Sequence, residues 1–503
     1  MIEQNLTILM VVVPLMCAPI TAMLNRAYIG WLITLLVTTS CFVMSIILLL
    51  GLSDGTVIHY ELGGWAPPWG IEYRLDSVNG LVALIVSGIG MLTSIYAKRS
   101  VEVEIESHQI PLFYTAFQLC FLGLLGICLT GDIFNLFVFL EISSLASYAL
   151  IALGNNRKAL TASFHYLVLG TLGATFFLIG IGLAYAATGT LNMADLSSGL
   201  VAASDIRLVH TAFAFIIVGM ALKAAIYPLH LWLPNAYSYA PSVVSIFLCA
   251  TATKVAIYVI IRCLFNVFSI DYVLSTLLPE VLVVVGAVAI LYGSVRAIGQ
   301  NGMRKMLAYS SVAQIGYMVM GIGFFSRSGL TASLLHLFNH ALMKAALFMA
   351  AGLFIYRVNT ATYENLKGMG KEMPWTFAAM LIAAMSLIGV PGTVGFVSKW
   401  QLLQAAIEQQ QWAMLVIIII GSLLAIIYMW KLIEVLYFQQ QSKIRIQDVQ
   451  SGSERFSHSP LSMTAALWIL SGMCIYFGIF TDFSMQTAHS AVDLLFAGHR
   501  GQG

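Results

Sequence analysis

The sequence predicts an all-α polytopic membrane protein with about 14 transmembrane helices, since each bilayer crossing takes about 20 apolar residues. Of the 503 residues, 60% are hydrophobic and only 9% are charged. Soluble domains carry about 25% charged residues, so the composition excludes an ordinary soluble protein. Two of the apolar runs are too long for one straight crossing and contain an internal proline, Pro228 and Pro391.

Other features of the composition exclude several kinds of site. The 24 basic residues are matched by 22 acidic ones and form no basic run, which argues against a nucleic-acid partner. Seven cysteines form no CxxC pair, so we expect neither a metal site nor a disulfide framework. No Walker loop and no correctly placed GxGxxG motif occurs. We therefore expect no nucleotide, haem or iron–sulfur cofactor.

Polar residues, glycines and prolines divide the apolar sequence into fourteen spans. We place them at 6–24, 30–51, 78–97, 112–130, 132–152, 160–187, 209–240, 242–265, 278–299, 303–323, 329–356, 374–402, 410–437 and 462–481.

The positive charges between these spans predict the orientation. With the N-terminus outside, 14 of the lysines and arginines fall in inside segments and 5 in outside segments, as the positive-inside rule requires. The inside set is Arg26, Lys98, Arg99, Arg157, Lys158, Arg296, Arg304, Lys305, Arg357, Lys367, Lys371, Lys443, Arg445 and Arg455, and the outside set is Arg74, Arg207, Arg262, Arg327 and Arg500.

The order of the spans indicates an internal repeat. Spans four to eight (112–265) and nine to thirteen (278–437) form two five-helix blocks, and each block has a proline in its fourth span. Because five is odd, the second block enters the membrane from the opposite side. Paired broken helices in inverted repeats are typical of transporters with a site near the midplane. The chain then divides into residues 1–111 with three spans, the two blocks, and residues 438–503 with a loop, span fourteen and a tail.

Five lysines lie inside predicted spans, where each costs about 2.5–3.5 kcal/mol on an isolated inserting helix. One of them, Lys223, precedes Pro228 by five residues, and Glu141 lies in the middle of span five. A lysine near Glu141 would keep the carboxylate ionised and would itself stay charged. A packing ion pair is the structural alternative, but acids inside the membrane are functional by default.

The other central charges predict a proton path. Lys254 is central in span eight, and His336, His340 and Lys344 follow one another at four-residue intervals on span eleven. Such spacing places the three side chains on one helix face. Histidine titrates nearest to physiological pH, so the stripe suits a proton path. Two histidines four residues apart could also hold a metal, but no carboxylate shares that stretch.

Four further residues have weaker assignments. Lys399 follows the second broken helix, and Lys431 and Glu434 are i, i+3 partners that form either an exit-side pair or a plain structural bridge. His230 follows the first break, where it either passes protons onward or satisfies the broken backbone.

Several of these stretches, in order, resemble one known family. PLHLWLPNAYSYAP, TKVAIYVIIR, RKMLAYSSVAQIGY and NHALMKAALF resemble the antiporter-like subunits of respiratory complex I and the Mrp-type cation/proton antiporters. The likeness extends over roughly residues 75–440. It implies two inverted half-channels joined by a hydrated polar axis, and the run GTVGFVSKW with its lysine is most similar to D-type subunits of Mrp antiporters.

The resemblance also implies a role for each buried charge. Glu141 would tune the lysine at 223, Lys254 would be the relay, His336, His340 and Lys344 would be the central group, and Lys399 would be the terminal lysine. One departure concerns proton uptake. Many relatives carry an acid and a histidine where this chain has Asn235 and Tyr237.

The function expected from the residues and the resemblance is proton translocation within a multisubunit Na⁺/H⁺ antiporter of the bacterial inner membrane. K⁺ is the alternative cation. The expected partners are other hydrophobic subunits and membrane lipid, and the chain itself is not expected to be an enzyme. The rival is a proton-pumping subunit of a complex I-like or membrane-bound hydrogenase redox complex. A scaffold that conducts nothing is the third possibility, but it would have no reason to carry five central lysines.

Overall fold

A computed structural model describes residues 2–52, 56–154, 156–203, 207–440 and 459–497. The N-terminal region contains three long helices and one small hairpin between the second and third. The helices are α1 (Ile2–Leu24), α2 (Ala27–Gly51) and α3 (Ser77–Glu104), and the hairpin pairs β1 (Ile58–Glu61) with β2 (Glu72–Leu75) in antiparallel register.

The first five-helix block has its fourth and fifth helices interrupted. Its elements are α4 (Ile110–Leu129), α5 (Ile133–Ala152), α6 (Arg157–Thr188), the short α7 (Met193–Ala202), α8 (Arg207–Lys223), α9 (Leu233–Tyr239), α10 (Ser242–Ala250) and α11 (Ala252–Arg262). A π-helical turn at Cys263–Val267 extends α11, and the short α12 (Ile270–Leu274) leads to the second block.

The second block repeats the interruption of its fourth helix. Its elements are α13 (Leu278–Ile298), α14 (Met303–Gly323), α15 (Arg327–Val358), the short α16 (Tyr363–Leu366) and α17 (Met369–Glu372), α18 (Pro374–Ile388), α19 (Val394–Glu408) and α20 (Trp412–Ile433). A π-helical turn at Glu434–Phe438 ends α20, and α21 (Leu461–Ile479) and α22 (Asp482–Ala497) follow.

Twelve helical stretches of the described residues are long and apolar enough to cross a membrane, one of them being Ser242–Val267, which contains α10 and α11. The chain is therefore an integral membrane protein. The two spans with internal prolines are both divided, α8 from α9 and α18 from α19. Each separate half is shorter than a bilayer crossing, at 17, 7, 15 and 15 residues. The count of about fourteen crossings and the domain boundaries therefore stay predictions.

The helix α15 lies at the centre of the molecule. It packs against α3, α10, α14, α18, α19 and α21. Nearly all of its side chains are buried, including its central histidines and lysine. Titratable groups in the middle of α15 are therefore surrounded by protein rather than by lipid.

Nothing in the sequence indicates the interruption that the structure shows in span eight. At Thr251 the backbone leaves helical geometry (φ −122°, ψ −59°) and separates α10 from α11, with neither proline nor glycine at the position. The last carbonyls of α10 are thereby left without continuing helical partners. This places acceptors close to the lysine that follows in α11.

Two other predictions need correction. The third span was expected to end at 97, but α3 continues to Glu104, because Arg99 pairs with Glu102 and Ser100 donates to Glu104 along the helix. Arg262, assigned to an outside segment, is buried in the Ser242–Val267 span. Lys443, Arg445, Arg455 and Arg500, also used for the orientation, lie outside the described residues.

Candidate functional site

The two charges expected to act together are in contact. Lys223 is the last residue of α8, and its Nζ lies 3.3 Å from Glu141 Oε1 on α5. The same Nζ donates to Ser144 Oγ at 2.7 Å. Ser144 follows Glu141 by three residues, so both face α8 from one side of α5. A buried ammonium thus has one carboxylate and one hydroxyl partner.

Lys254 occupies the first turn of α11 and is 1% exposed. Its Nζ donates to the carbonyl oxygen of Cys249 in α10 and lies 3.5 Å from Thr253 Oγ1. No carboxylate among the described residues pairs with it. The interruption at Thr251 explains the arrangement, since it supplies the carbonyl that the lysine binds.

The two histidines of α15 stack on each other, as the four-residue spacing predicted. Their ring centroids are 5.9 Å apart and their planes differ by 5°. His336 has two partners, Ser398 Oγ at 2.9 Å and Gln314 Oε1 at 3.0 Å. Both nitrogens of His340 are buried and lack a hydrogen-bond partner within the described residues. Of the two stacked histidines, His340 is therefore the one whose ring nitrogens are not engaged by the described residues.

One turn further along α15, Lys344 is fully buried. Its Nζ donates to Leu307 O at 2.7 Å and to Ser310 Oγ at 2.5 Å, both on α14. Electrostatic interaction also connects Lys254 with His336, His340 and Lys344. The stripe on α15 and the lysine on α11 therefore form one group across the boundary between the two blocks.

Lys399 binds the broken end of the neighbouring helix half. Its side chain extends from α19 to the last carbonyls of α18, with Nζ at 3.0 Å from Leu387 O and 2.9 Å from Ile388 O. It also lies over the Tyr317 ring, 5.2 Å from the centroid. The left-handed backbone at Gly389 (φ 96°) and Gly392 (φ 82°) ends α18 and lets α19 begin close to its last turn.

The expected pairing of Lys431 with Glu434 is wrong. Lys431 Nζ donates to the carbonyls of Ile298 and Gln300, each at 3.0 Å, and Glu434 accepts from Gln439. The carbonyls at the end of α13 lack intrahelical partners, and the Lys431 ammonium binds them in place of the carboxylate. The hydrogen bonds of Lys431 instead connect α20 to the end of α13.

His230 lies between α8 and α9 and is buried. Its ring stacks on Tyr227 at 5.5 Å and meets Tyr292 edge-on at 5.2 Å. Neither nitrogen has a hydrogen-bond partner within the described part of the chain. The contacts place it beside the first break but do not connect it to Lys223.

The structure contains two features that the sequence did not predict. A buried ion pair joins Asp76, at the start of α3, to Arg262 of α11. Tyr237, noted only as a departure from relatives, is buried and donates its hydroxyl to Leu248 O at 3.1 Å, which ties α9 to α10. For the ion pair, the available signals were an acid before a helix and an arginine near the end of a span.

Comparison with known proteins agrees with this architecture. The family described as NADH:quinone oxidoreductase/Mrp antiporter, transmembrane, matches residues 130–425. The N-type subunit of the NADH-quinone oxidoreductase from Desulforudis audaxviator is 38% identical over 485 residues, which cover 95% of this chain and 96% of that protein. The D-type subunit of the Na⁺/H⁺ antiporter from Bacillus subtilis is 31% identical over 367 residues, 73% of each chain.

A solved structure extends the likeness to three dimensions. A chain of the Mrp complex from Dietzia sp. superposes with a TM-score of 0.88 at 29% identity, covering 99% of this chain and 98% of that one. The resemblance expected from the short motifs is thereby confirmed. This chain belongs to the family of transmembrane subunits shared by NADH:quinone oxidoreductases and Mrp antiporters.

Proposed function

We propose that this chain is the proton-translocating subunit of a multisubunit antiporter that exchanges Na⁺, or K⁺, for H⁺. The observation that carries the proposal is a set of titratable side chains in both blocks, of which Glu141 is partly buried and the others are buried: Glu141, Lys223, Lys254, His336, His340, Lys344 and Lys399. A scaffold has no need of such a set, since each buried charge adds to the cost of insertion. The names of the relatives from Bacillus subtilis and Dietzia sp. support the same activity.

The first step of the proposed path is the Lys223 switch. Glu141 stabilises the ammonium form of Lys223 while the two are in contact. Protonation or displacement of Glu141 would remove that stabilisation and release a proton from the lysine. Lys223 lies at the end of α8, beside the broken segment, where the backbone carbonyls lack helical partners.

The later steps use like charges rather than an ion pair. Lys254, His340 and Lys344 are all buried and would carry like charges, so protonation of one would disfavour protonation of the next. A proton arriving at Lys254 would therefore move a proton onward along α15. Lys399 would be the last member, held by the terminal carbonyls of α18. His230 is a secondary candidate at the mouth of the first block.

The setting of the proposed antiporter is the bacterial inner membrane, with the N-terminus outside. The charge bias between the spans supports this orientation. Hydrophobic subunits would cover part of the outer helices, as the multisubunit Mrp complex of Dietzia sp. suggests. The chain would be a transporter component and not itself an enzyme.

The relative from Desulforudis audaxviator bears the name of a redox-complex component, so a second assembly requires a direct test. The tagged chain would be purified in mild detergent from its native membrane. Mass spectrometry would identify the co-purifying proteins, and iron would be assayed. We expect small hydrophobic subunits without iron. Co-purification of iron–sulfur or hydrogenase subunits would instead assign the same path to a redox-driven pump.

The activity itself is tested in membrane vesicles. An imposed Na⁺ gradient should drive proton movement, followed with a pH-sensitive dye, and K⁺ should be compared with Na⁺. Absence of cation-driven proton movement in vesicles that contain the assembled complex would contradict the antiporter assignment.

A further inference from the structure

A large cavity lies away from the buried titratable chain, on the face where α3 ends and α14 begins. Its volume is about 760 Å³, and it is lined by both five-helix blocks and by the end of α3. The first block contributes Gly154, Asn156, Lys158 and residues 238–241. The second block contributes residues from the start of α14 and from the end of α15 with the segment that follows it. A molecule held here would contact the two blocks at once.

The charged side chains that line this cavity are mostly basic. They are Lys158, Arg304 and Lys305 against the single acid Glu104, so three positive charges less one negative charge leave +2. None of the three basic residues forms an ion pair with a carboxylate among the described residues. Glu104 is already engaged, since its carboxylate accepts from Ser242 N at 2.8 Å and from Ser100 Oγ at 2.8 Å. The net charge of the cavity lining is therefore positive, and Glu104 balances only part of it.

Arg304 is the preformed part of the site, because its side chain is 8% exposed and held in a fixed orientation. Its guanidinium donates to Ala240 O at 2.9 Å, Ser238 O at 3.4 Å and Ser245 Oγ at 3.3 Å. These bonds leave part of the five N–H donors of an arginine unused. Its Nε has no partner within the described residues. Glu104 offsets part of the cost of burying the Arg304 charge, and an anion in the cavity would offset more of it.

The start of α14 adds neutral donors to the same place. Gly302, its N-cap, has no side chain with which to cap the helix. The backbone amides of Arg304 and Lys305 have no acceptor among the residues that the structure describes. Open amides at the start of a 21-residue helix, together with the helix dipole, favour a bound anion.

We propose that this cavity binds a phosphate group through Arg304, Lys158, Lys305 and the first amides of α14. A phosphodiester of an anionic lipid headgroup and free inorganic phosphate share this chemistry, and basic pockets between membrane helices are known to take lipid phosphates. Lys158 is exposed and Lys305 is partly exposed, so both can move toward the ligand, while Arg304 and the amides are fixed. The bound group would join the two five-helix blocks on this face.

The test measures thermal unfolding of the purified complex in nanodiscs or detergent, because a ligand of the folded state raises the melting temperature. The probes are phosphatidylglycerol, phosphatidylcholine and inorganic phosphate, each titrated separately. The test variant is the double replacement Lys158→Gln with Lys305→Gln. Arg304 is left in place, since its removal would release the carbonyls of Ser238 and Ala240. Arg157→Gln is the matched control, because Arg157 is exposed, adjacent in sequence and absent from the cavity lining.

We expect phosphatidylglycerol, but not phosphatidylcholine, to raise the melting temperature of the native chain and of Arg157→Gln. The double variant should need about tenfold more phosphatidylglycerol for the same rise in melting temperature, because two charged contacts are lost. If inorganic phosphate gives the same variant-dependent rise, the site is supported with free phosphate as its ligand. An equal rise in melting temperature for the double variant and the control would overturn the proposal. So would the absence of any rise in the native chain with both phosphatidylglycerol and inorganic phosphate.

Discussion

Lys223 and Glu141 are 82 positions apart in the sequence, yet Nζ and Oε1 lie 3.3 Å apart between α8 and α5. Ser144 Oγ completes the environment of the ammonium at 2.7 Å. Since the lysine ends a helix where the regular backbone breaks, a small movement of the segment 224–232 would change the distance between the two charges. The pair therefore couples backbone geometry to the protonation of one buried amine.

Replacement of Lys223 by alanine should abolish proton movement while the complex still assembles. Without the amine the first step of the path has no proton carrier, and the rate should fall on the order of 10²-fold. Proton flux in vesicles measures the loss, and native gel electrophoresis measures assembly. Lys367→Ala is the control, because Lys367 is paired with Glu364 near the surface. Transport at the native rate by the assembled Lys223→Ala complex would refute the assignment.

Replacement of Glu141 should distinguish a charge effect from packing. Glu141→Ala removes the carboxylate and leaves Lys223 with Ser144 as its remaining polar partner, so transport should be impaired and its pH profile displaced. Glu141→Asp keeps the charge and should be milder. The pH dependence of proton flux is the measurement. Native behaviour of both variants would reduce the pair to a packing contact.

The sequence identified both charges because charged residues in the middle of apolar spans are conspicuous, whereas their pairing was expected only from the family resemblance. It also identified both proline breaks and the histidine stripe, since these depend on local pattern and helical spacing. The Thr251 interruption has no local signal, and the pairing of Asp76 with Arg262 joins residues 186 positions apart. The Lys431–Glu434 prediction failed because local spacing does not show that the end of α13, 131–133 positions away, offers free carbonyls to the lysine.

The Asp76–Arg262 pair should contribute much more to stability than an exposed pair of the same type. The Asp76 side chain is 0% exposed and that of Arg262 is 8% exposed. Removal of one partner from such a pair costs about 3–5 kcal/mol, so Arg262→Ala should lower the free energy of unfolding by that amount. The control is Arg327→Ala, whose partner Asp493 is 67% exposed. Loss of this exposed pair should lower the free energy of unfolding by less than about 1 kcal/mol. Equal costs, measured by denaturant unfolding in detergent, would contradict this account.

The same pair predicts loss of stability in acid. Burial raises the pKa of Asp76, but the charge and hydrogen bonds of Arg262, with Arg74, outweigh burial and hold the pKa below its usual value. Its stabilisation is therefore fully present above the unfolded pKa of about 3.9 and is lost as pH falls through the lower folded value. In Asp76→Asn, the melting temperature should fall less steeply than in the native chain as the pH is lowered from neutral. An unchanged pH dependence of the melting temperature in Asp76→Asn would exclude Asp76 as the group responsible for the loss of stability in acid.

Lys399 and Lys431 allow a test of function against structure, because each binds two backbone carbonyls. Lys399→Met should stop proton flux, since the lysine belongs to the proposed path. Lys431→Met should keep most of the flux and lose only a local contact between α20 and α13. Flux and melting temperature would be measured on both variants. Similar losses of flux in the two would indicate that both lysines serve only to hold the helices.

Gly395 should be essential for the position of α19. A Cβ at this residue would lie 1.7 Å from Ser386 O and 3.2 Å from the Met343 sulfur, so any side chain would force α19 away from α18. Overpacking of this kind costs about 1–3 kcal/mol or more. Gly395→Ala should lower the melting temperature and also impair transport, because Lys399 is one turn further along α19 and would lose its carbonyls on α18. Gly472→Ala is the control, since no atom lies within 4 Å of a Cβ built there. Equal tolerance of the two alanines would show that the close contact between α18 and α19 does not set the position of Lys399.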